Sequence, residues 1–322
     1  NWSLKTYSRY SEVVHLHVIP YLNPKQKLMD VKPEHVEAIL KAVQGKKLGV
    51  RSQKYILSTM HKFFADLMIR RVILYNPAAG IKITYKPPEM LTLSRDQVKL
   101  FLKVAAGNRY EHLFYLAFAT GMRQGELLGL KWSDIDEASQ SIMVQRQVQW
   151  VDHHSDKAAP RFFFKSPKSK AGVRRIPVGP EAMKRLKQQR GQIVMQKMVN
   201  ANQWHENDLV FPNLVGNPID PNNLIKEFRK LLSEENLPPI RFHDIRHTCA
   251  TLMLLMNVHP KVVCERLGHS DIRITLQLYS HAIPSLQGEA AQMIEGLLGS
   301  APIVSSGSTQ PAAAPQKDVL DL

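Results

Sequence analysis

Apolar residues recur at helical intervals along most of the chain and give way to short runs rich in β-branched and aromatic residues only near its middle. From Ser3 to Ile19, a Ser3 cap is followed by Tyr7, Tyr10, Val14 and Ile19 on one predicted helical face. A second helix starts at Asp30–Glu34, buries Val36, Ile39, Leu40 and Val43, and ends at Gly45 and Gly49. A third, Arg51 to Val72, turns Ile56, Leu57, Met60, Phe63, Phe64 and Leu67 inward and leaves Arg51, Lys54, Lys62, Arg70 and Arg71 outside. These helices predict a small basic bundle over residues 1–86, closed by Asn76-Pro77 and an extended stretch, with residues 87–89 as the linker.

A second domain, residues 90–299, opens at the Ser94/Gln97 capping box. The run 111–120 is nearly all apolar, hence a buried helix, and stops at Gly121. Residues 141–150, 160–166 and 173–178 are short, rich in β-branched and aromatic residues and separated by turn chemistry, as a small antiparallel sheet would be. The basic turn Ser166-Pro167-Lys168-Ser169-Lys170-Ala171-Gly172 joins the last two. Helices follow from Pro180 to Val199 and from Pro221 to Leu232, with a brief strand at 209–211 between them. The run Leu252–Met256 reads as core, and residues 286–298 as a last amphipathic helix whose Ala290, Met293, Ile294 and Leu297 need a partner surface. From Ser300 to Leu322 the Ala, Pro, Ser and Gln composition reads as a disordered tail. The pattern predicts a mainly α protein with a small antiparallel β-sheet in the second domain: a helical front domain, then a mixed α/β one.

Charge changes this picture more than composition does. With 44% hydrophobic and 22% charged residues the chain is an ordinary globular protein, but its formal net charge is +15. Fifteen Lys and Arg against five Asp and Glu fall within residues 1–88, so two thirds of the surplus sits in the front bundle. That favours a polyanionic partner, and with no apolar run near membrane-span length, nucleic acid is the better fit than a lipid surface. Cys249 and Cys264 lie in apolar helical patterns without a CxxC partner and read as buried thiols of a reducing compartment.

The candidate chemistry lies in two places. His243 and Arg246 are three apart on one helical face, Leu267-Gly268-His269 ends a short helix, and Tyr279 follows ten residues later. Upstream, Arg123 and Glu126 are again three apart and able to pair. Arginine forks suit the charge that gathers on a phosphate in transfer, and a tyrosine with a neighbouring base can attack it covalently. Lone residues of these kinds are usually a packed aromatic, a helix-end histidine or a surface ion pair. Their co-occurrence carries the weight.

The stretches TGMRQGELLGLKWSDID, HDIRHTCAT and LGHSDIRITLQLYSH, in this order, resemble the three boxes of the tyrosine recombinase, or phage integrase, family, and the front bundle is similar to that family's core-site-binding domain. Over roughly residues 1–298, the resemblance implies a helical core-binding domain followed by a catalytic domain of the tyrosine recombinase type, closing around duplex DNA. It implies that Arg123 and Arg246 clamp the scissile phosphate, Tyr279 attacks it, His243 handles the nucleophile's proton, His269 donates a hydrogen bond and Glu126 orients its neighbours. A lysine of the basic turn would protonate the leaving 5′ oxygen; Lys168 is chosen, with Lys170 two residues away as the other choice. Arg51, Lys54, Lys62 and Lys170 are the expected DNA contacts. Neither a metal nor another cofactor is implied. Four protomers would assemble on double-stranded DNA, pass the 286–298 helix between neighbours and exchange strands through a Holliday junction, with a directionality factor as a further partner. Conjugative-transposon and phage integrases are the expected relatives, and a nucleoid-associated place in the bacterial cytoplasm the expected location.

Three other readings compete. HDIRH can be read as the two-histidine helix of a zinc hydrolase, but Asp244 is one methylene shorter than the usual Glu and the reading leaves Arg246, His269 and Tyr279 without a role. A non-cleaving DNA-binding accessory protein of the same fold would also use the basic bundle. A type IB topoisomerase would share the chemistry without partner sites.

Overall fold

The computed structural model describes residues 4–46, 48–86, 90–150, 162–167, 170–273, 275–276 and 286–298. Two compact units emerge, one of residues 1–90 with 150–162 and one of residues 91–149 with 163–322. As the hydrophobic pattern predicts, the protein is mainly helical with small antiparallel sheets. Among the described residues no helix is long and apolar enough to cross a membrane.

The first unit holds α1 (Leu4–Val13), α2 (Pro33–Gly45) and α3 (Val50–Ile69). Val13, Val36, Ile39, Val43, Ile56, Leu57, Met60 and Phe64 form its core. The first helix departs from expectation. After Val13 the backbone widens into a π turn, Val14–Val18, and then a 3₁₀ turn, Ile19–Tyr21. The His15 ring donates to the Ser11 carbonyl at 2.8 Å, competing for the acceptor of the next α turn, and Pro20 brings no N–H. The buried face also differs from the predicted one: Val13 is buried, whereas Tyr7 and Ile19 are exposed. Helix α3 stops three residues earlier than its pattern suggests, because Arg71 takes a left-handed φ of 59° and Val72 N–H returns to the Leu67 carbonyl.

The second unit is built from α4 (Arg95–Val104), α5 (Glu111–Thr120), α6 (Gln124–Leu128), α7 (Pro180–Val199), α8 (Pro221–Glu234), α9 (Asp244–Leu255), α10 (Pro260–Leu267) and α11 (Leu286–Leu298). Its core is aromatic: Phe101 lies 5.3 Å from Phe114 and 5.2 Å from Phe228 between ring centroids, and Phe228 lies 5.5 Å from Phe242. Each such pair adds about 0.5–1.5 kcal/mol beyond area burial. Phe242 is the residue before His243, so this core fixes the start of α9. The other end of the run Leu252–Met256 is a correction to the expected core: Leu254 is buried, but Leu255 and Met256 are exposed at the helix end.

The predicted sheet is divided in two. Strands β1 (Ile135–Asp136), β2 (Ser141–Val144) and β5 (Arg174–Pro177) form one antiparallel sheet in the order β1-β2-β5, with Ile142 opposite Ile176 and Val144 opposite Arg174. Strands β3 (Gln147–Trp150) and β4 (Phe162–Lys165) form the other. The expected single strand 141–150 breaks at Gln145 and Arg146 because both side chains turn to the buried Asp134 carboxylate. The expected strand 209–211 is reduced to a single bridge, Lys131 with Leu209, beside Pro212. Cys249 is buried as expected, but Cys264 is only partly so. The 87–89 linker and the 300–322 tail lie outside the described residues.

Candidate active site

Glu126 is the centre from which the site is built. It stands on the short helix α6, 2% exposed, and its carboxylate takes the Arg123 Nη1 at 2.8 Å, the Arg123 backbone N–H at 2.9 Å, and both Nη atoms of Arg174 at 2.9 and 3.2 Å. Burial pushes such a carboxyl up, but the Arg174 hydrogen bonds and charge, with help from Arg123, hold it below its ordinary value. It is therefore an anion, and one carboxylate orients two guanidiniums.

Arg246 supplies the third cation. Helix α9 carries it inward until it is 3% exposed, with Nη1 donating to the Gly121 carbonyl at 3.0 Å and Nη2 without a hydrogen-bond partner among the described residues. Burial, then the neighbouring Arg123 charge, pushes its pKa down to about 9, so it remains charged at neutral pH. The carbonyl it uses is presented by a left-handed residue, Gly121 at φ 63°, where a Cβ would lie 2.4 Å from Leu267 and 3.2 Å from the Cys249 sulfur. Only glycine fits there.

Arg123 donates its other Nη to the Gly268 carbonyl at 3.1 Å, which ties α6 to the turn entering His269. Gly268 is again left-handed, at φ 67°, and a Cβ would meet the Ala171 carbonyl at 2.6 Å. His269 is buried, with Nδ1 2.9 Å from the Thr275 hydroxyl. When that hydroxyl donates, the imidazole proton resides on Nε2, which is then the donor. Burial, then the Arg246 and Arg123 charges, depresses His269 to about 3. His243, the N-cap of α9, is exposed on one edge and packs edge-to-face on His247 at 5.1 Å. Desolvation and then Arg246 lower its pKa as well, and His247 is lowered to about 4 by burial and then His243. Neutral imidazoles thus surround fixed guanidiniums. The imidazoles are unprotonated and so open to a proton, but their lowered pKa values make them weak bases while the site is empty; the guanidiniums bind an anion, above all a tetrahedral one with several oxygens.

This arrangement makes stability depend on pH. His247 and His269, depressed from an ordinary 6.5 to about 4 and about 3, refuse protons that the unfolded chain accepts. Their contribution is intact above pH 6.5 and is lost as the pH falls toward the native values. These two rings alone are expected to add an uptake of about two protons to unfolding near pH 5, read as the slope of urea-unfolding free energy against pH. A flat profile from pH 6.5 to 5 would show these rings to be hydrated.

Of the residues expected from the sequence, Arg123, Glu126, His243, Arg246 and His269 converge, although 146 positions separate Arg123 from His269. Lys168 and Tyr279 lie outside the described residues, and Lys170 opens the 3₁₀ turn Lys170–Gly172 with its side chain not described. Arg51 and Lys54 are exposed on α3, while the Lys62 ammonium, also exposed, donates to the Tyr10 hydroxyl at 3.1 Å. Asp244, the base in the zinc-hydrolase reading, is buried with both oxygens bonded to Arg241. Among the described residues no group of three His, Cys, Asp or Glu is placed to hold a metal ion.

Sequence reasoning missed Arg174 and Thr275 and weighed His247 only as the second histidine of the zinc-hydrolase helix. Arg174 had a signal, since on a strand it shares a face with the apolar Ile176. His247 stands one helical turn after His243, which puts the two on one face. Thr275 had none.

The helical unit with its small sheets has the fold of tyrosine recombinase catalytic domains. The chain belongs to the phage integrase family, whose sequence model matches residues 92–285. It is 34% identical over 267 residues to a XerC-like tyrosine recombinase of Caldanaerobacter subterraneus, covering 79% of this chain and 68% of that one. With the ICEBs1 integrase of Bacillus subtilis it shares 23% identity, covering 91% and 78% of the two chains. The fold matches the Tn1549 transposon integrase solved with circular intermediate DNA (TM-score 0.73, 19% identity, 91% and 95% covered). It also matches a lambda integrase tetramer bound to a Holliday junction (TM-score 0.61, 18% identity, 86% and 72% covered).

Proposed function

We propose that the chain is a site-specific DNA recombinase that breaks and rejoins strands through a covalent 3′-phosphotyrosine. The observation that carries this is the buried Arg246 with an unpartnered nitrogen, set beside Arg123 on a carboxylate that already serves two guanidiniums. A phosphodiester is the anion that such a pair of forks fits.

In this reading the Tyr279 oxygen forms a bond to phosphorus while the bond to the 5′ oxygen breaks. The phenolic proton passes to His243, held neutral in the free site. Arg123 and Arg246 take the non-bridging oxygens, His269 donates to one of them, and Lys168, with Lys170 as the alternative, gives a proton to the departing 5′ oxygen. Attack by a 5′ hydroxyl from a second duplex reverses each step, so the energy of the phosphodiester is conserved. Two rounds joined by a Holliday junction require four protomers on double-stranded DNA. Arg51, Lys54, Lys62 and Lys170 would contact phosphates, making affinity fall steeply with salt.

The C-terminal helix fits the exchange role: Met293, Ile294, Leu297 and Leu298 are all exposed on α11, Leu297 at 81%. Removing residues 286–322 is expected to reduce recombination by roughly tenfold or more while leaving single-site DNA binding within about twofold, the pattern of a lost contact between protomers. Equal losses would refute that role. The function itself is tested with a nicked suicide duplex carrying an end of the mobile element that encodes the chain. A protein–DNA adduct and a free 5′ hydroxyl are expected, in excess chelator as well as without it. Binding without an adduct would support the non-cleaving accessory reading instead.

A further inference from the structure

Arg174 is buried on β5, and its guanidinium bonds to three separate segments at once. Nε donates to the Arg266 carbonyl at 2.7 Å, at the end of α10 just before Gly268 and His269. Nη1 donates to the Gly172 carbonyl at 3.1 Å, at the close of the basic turn. Nη1 and Nη2 both reach Glu126, which holds Arg123. The segments also crowd one another: a Cβ on Gly268 would lie 2.6 Å from the Ala171 carbonyl and 2.9 Å from Arg174 itself. A rigid planar fork with donors on three sides can make this junction, whereas a lysine, with one compact ammonium, cannot reach all three.

We propose that Arg174 is a positioning residue for strand cleavage, setting the register of the basic turn against the Arg123–Glu126 clamp and the entry to His269. It touches no reacting atom in this reading. Its position on the inward face of a strand leaves it behind the clamp, where it acts through the Gly172 carbonyl on the turn and through Glu126 on Arg123. The proposal rests on the recombinase reading, because it assigns the turn the task of delivering a proton to the leaving oxygen. A small displacement of the turn relative to the clamp then slows leaving-group departure more than it weakens binding.

The test uses the full chain with Arg174→Lys, which keeps the charge beside Glu126 but loses the three-way junction. On an ordinary suicide duplex, adduct formation in a single turnover is expected to fall about 100-fold, the effect of a misplacement on the order of 1 Å, with DNA affinity within about threefold. On a duplex whose leaving 5′ oxygen is replaced by sulfur, a thiolate departs without a proton, and the deficit is expected to shrink to about threefold or less. Equal deficits on both duplexes overturn the proposal, since a general loss of structure or of the phosphate clamp does not depend on the leaving group. If Arg174→Lys lacks native near-ultraviolet circular dichroism, Arg174→Gln replaces it, and failure of both to fold overturns positioning in favour of a purely structural role. Absence of any adduct with the unsubstituted chain on either duplex overturns the recombinase reading itself, and the proposal with it.

Discussion

A Tyr279→Phe chain is expected to bind its DNA site with unchanged affinity and to form no covalent adduct, the largest single effect the recombinase reading demands. The substitution removes one oxygen and keeps the ring, so packing and charge at neutral pH are preserved, whereas the atom that forms the bond to phosphorus is gone. Water is no substitute in the same position without the tether that makes attack intramolecular, a tether worth about 7–11 kcal/mol in well-oriented cases. The loss should therefore exceed about 10⁵-fold in single-turnover cleavage. The measurement is gel retardation at fixed salt beside denaturing electrophoresis of the suicide-duplex reaction. A residual adduct in Tyr279→Phe would assign the nucleophile to another residue.

The helical face patterns made much of the fold legible, and at two of the places where the pattern misled, a polar side chain outside it was responsible. The His15 ring competes for the Ser11 carbonyl where the α-helix gives way to a π turn. Asp134 draws Gln145 and Arg146 out of a strand that composition alone would continue. Both effects come from polar contacts between residues that periodicity treats as interchangeable surface.

The site divides in the same way. Arg123, Glu126, His243, Arg246 and His269 were legible because each sits at helical spacing from another chemical group, or directly after a glycine that ends a helix. Their convergence was not, because it depends on two left-handed glycines whose carbonyls, at Gly121 and Gly268, receive Arg246 and Arg123. A glycine in a sequence announces a turn; it does not say which distant arginine will use the carbonyl that the turn exposes. Arg174 shows the complementary limit. Within a basic strand it looks like one more solvent contact, yet the fold buries it as the second counter-charge of Glu126.

Arg246→Gln is the second large effect expected. Its Nη1 bond to the Gly121 carbonyl anchors the side chain, and its partnerless Nη2 is the group left to meet a phosphate oxygen. Removing a fixed cationic donor from a dehydrated site costs on the order of 10²–10³-fold in rate, and loss of the fork's charge as well as its geometry places Arg246→Gln at the upper end of that range. Stability should move the other way. Glu126 keeps Arg123 and Arg174, so no carboxylate is left without a partner, while one poorly solvated cation disappears. The thermal midpoint is therefore expected to hold or rise while single-turnover cleavage falls about 10³-fold. A variant that loses both together would mark Arg246 as a structural cation rather than part of a phosphate clamp, because a group kept for binding an anion is a burden to the fold until the anion arrives.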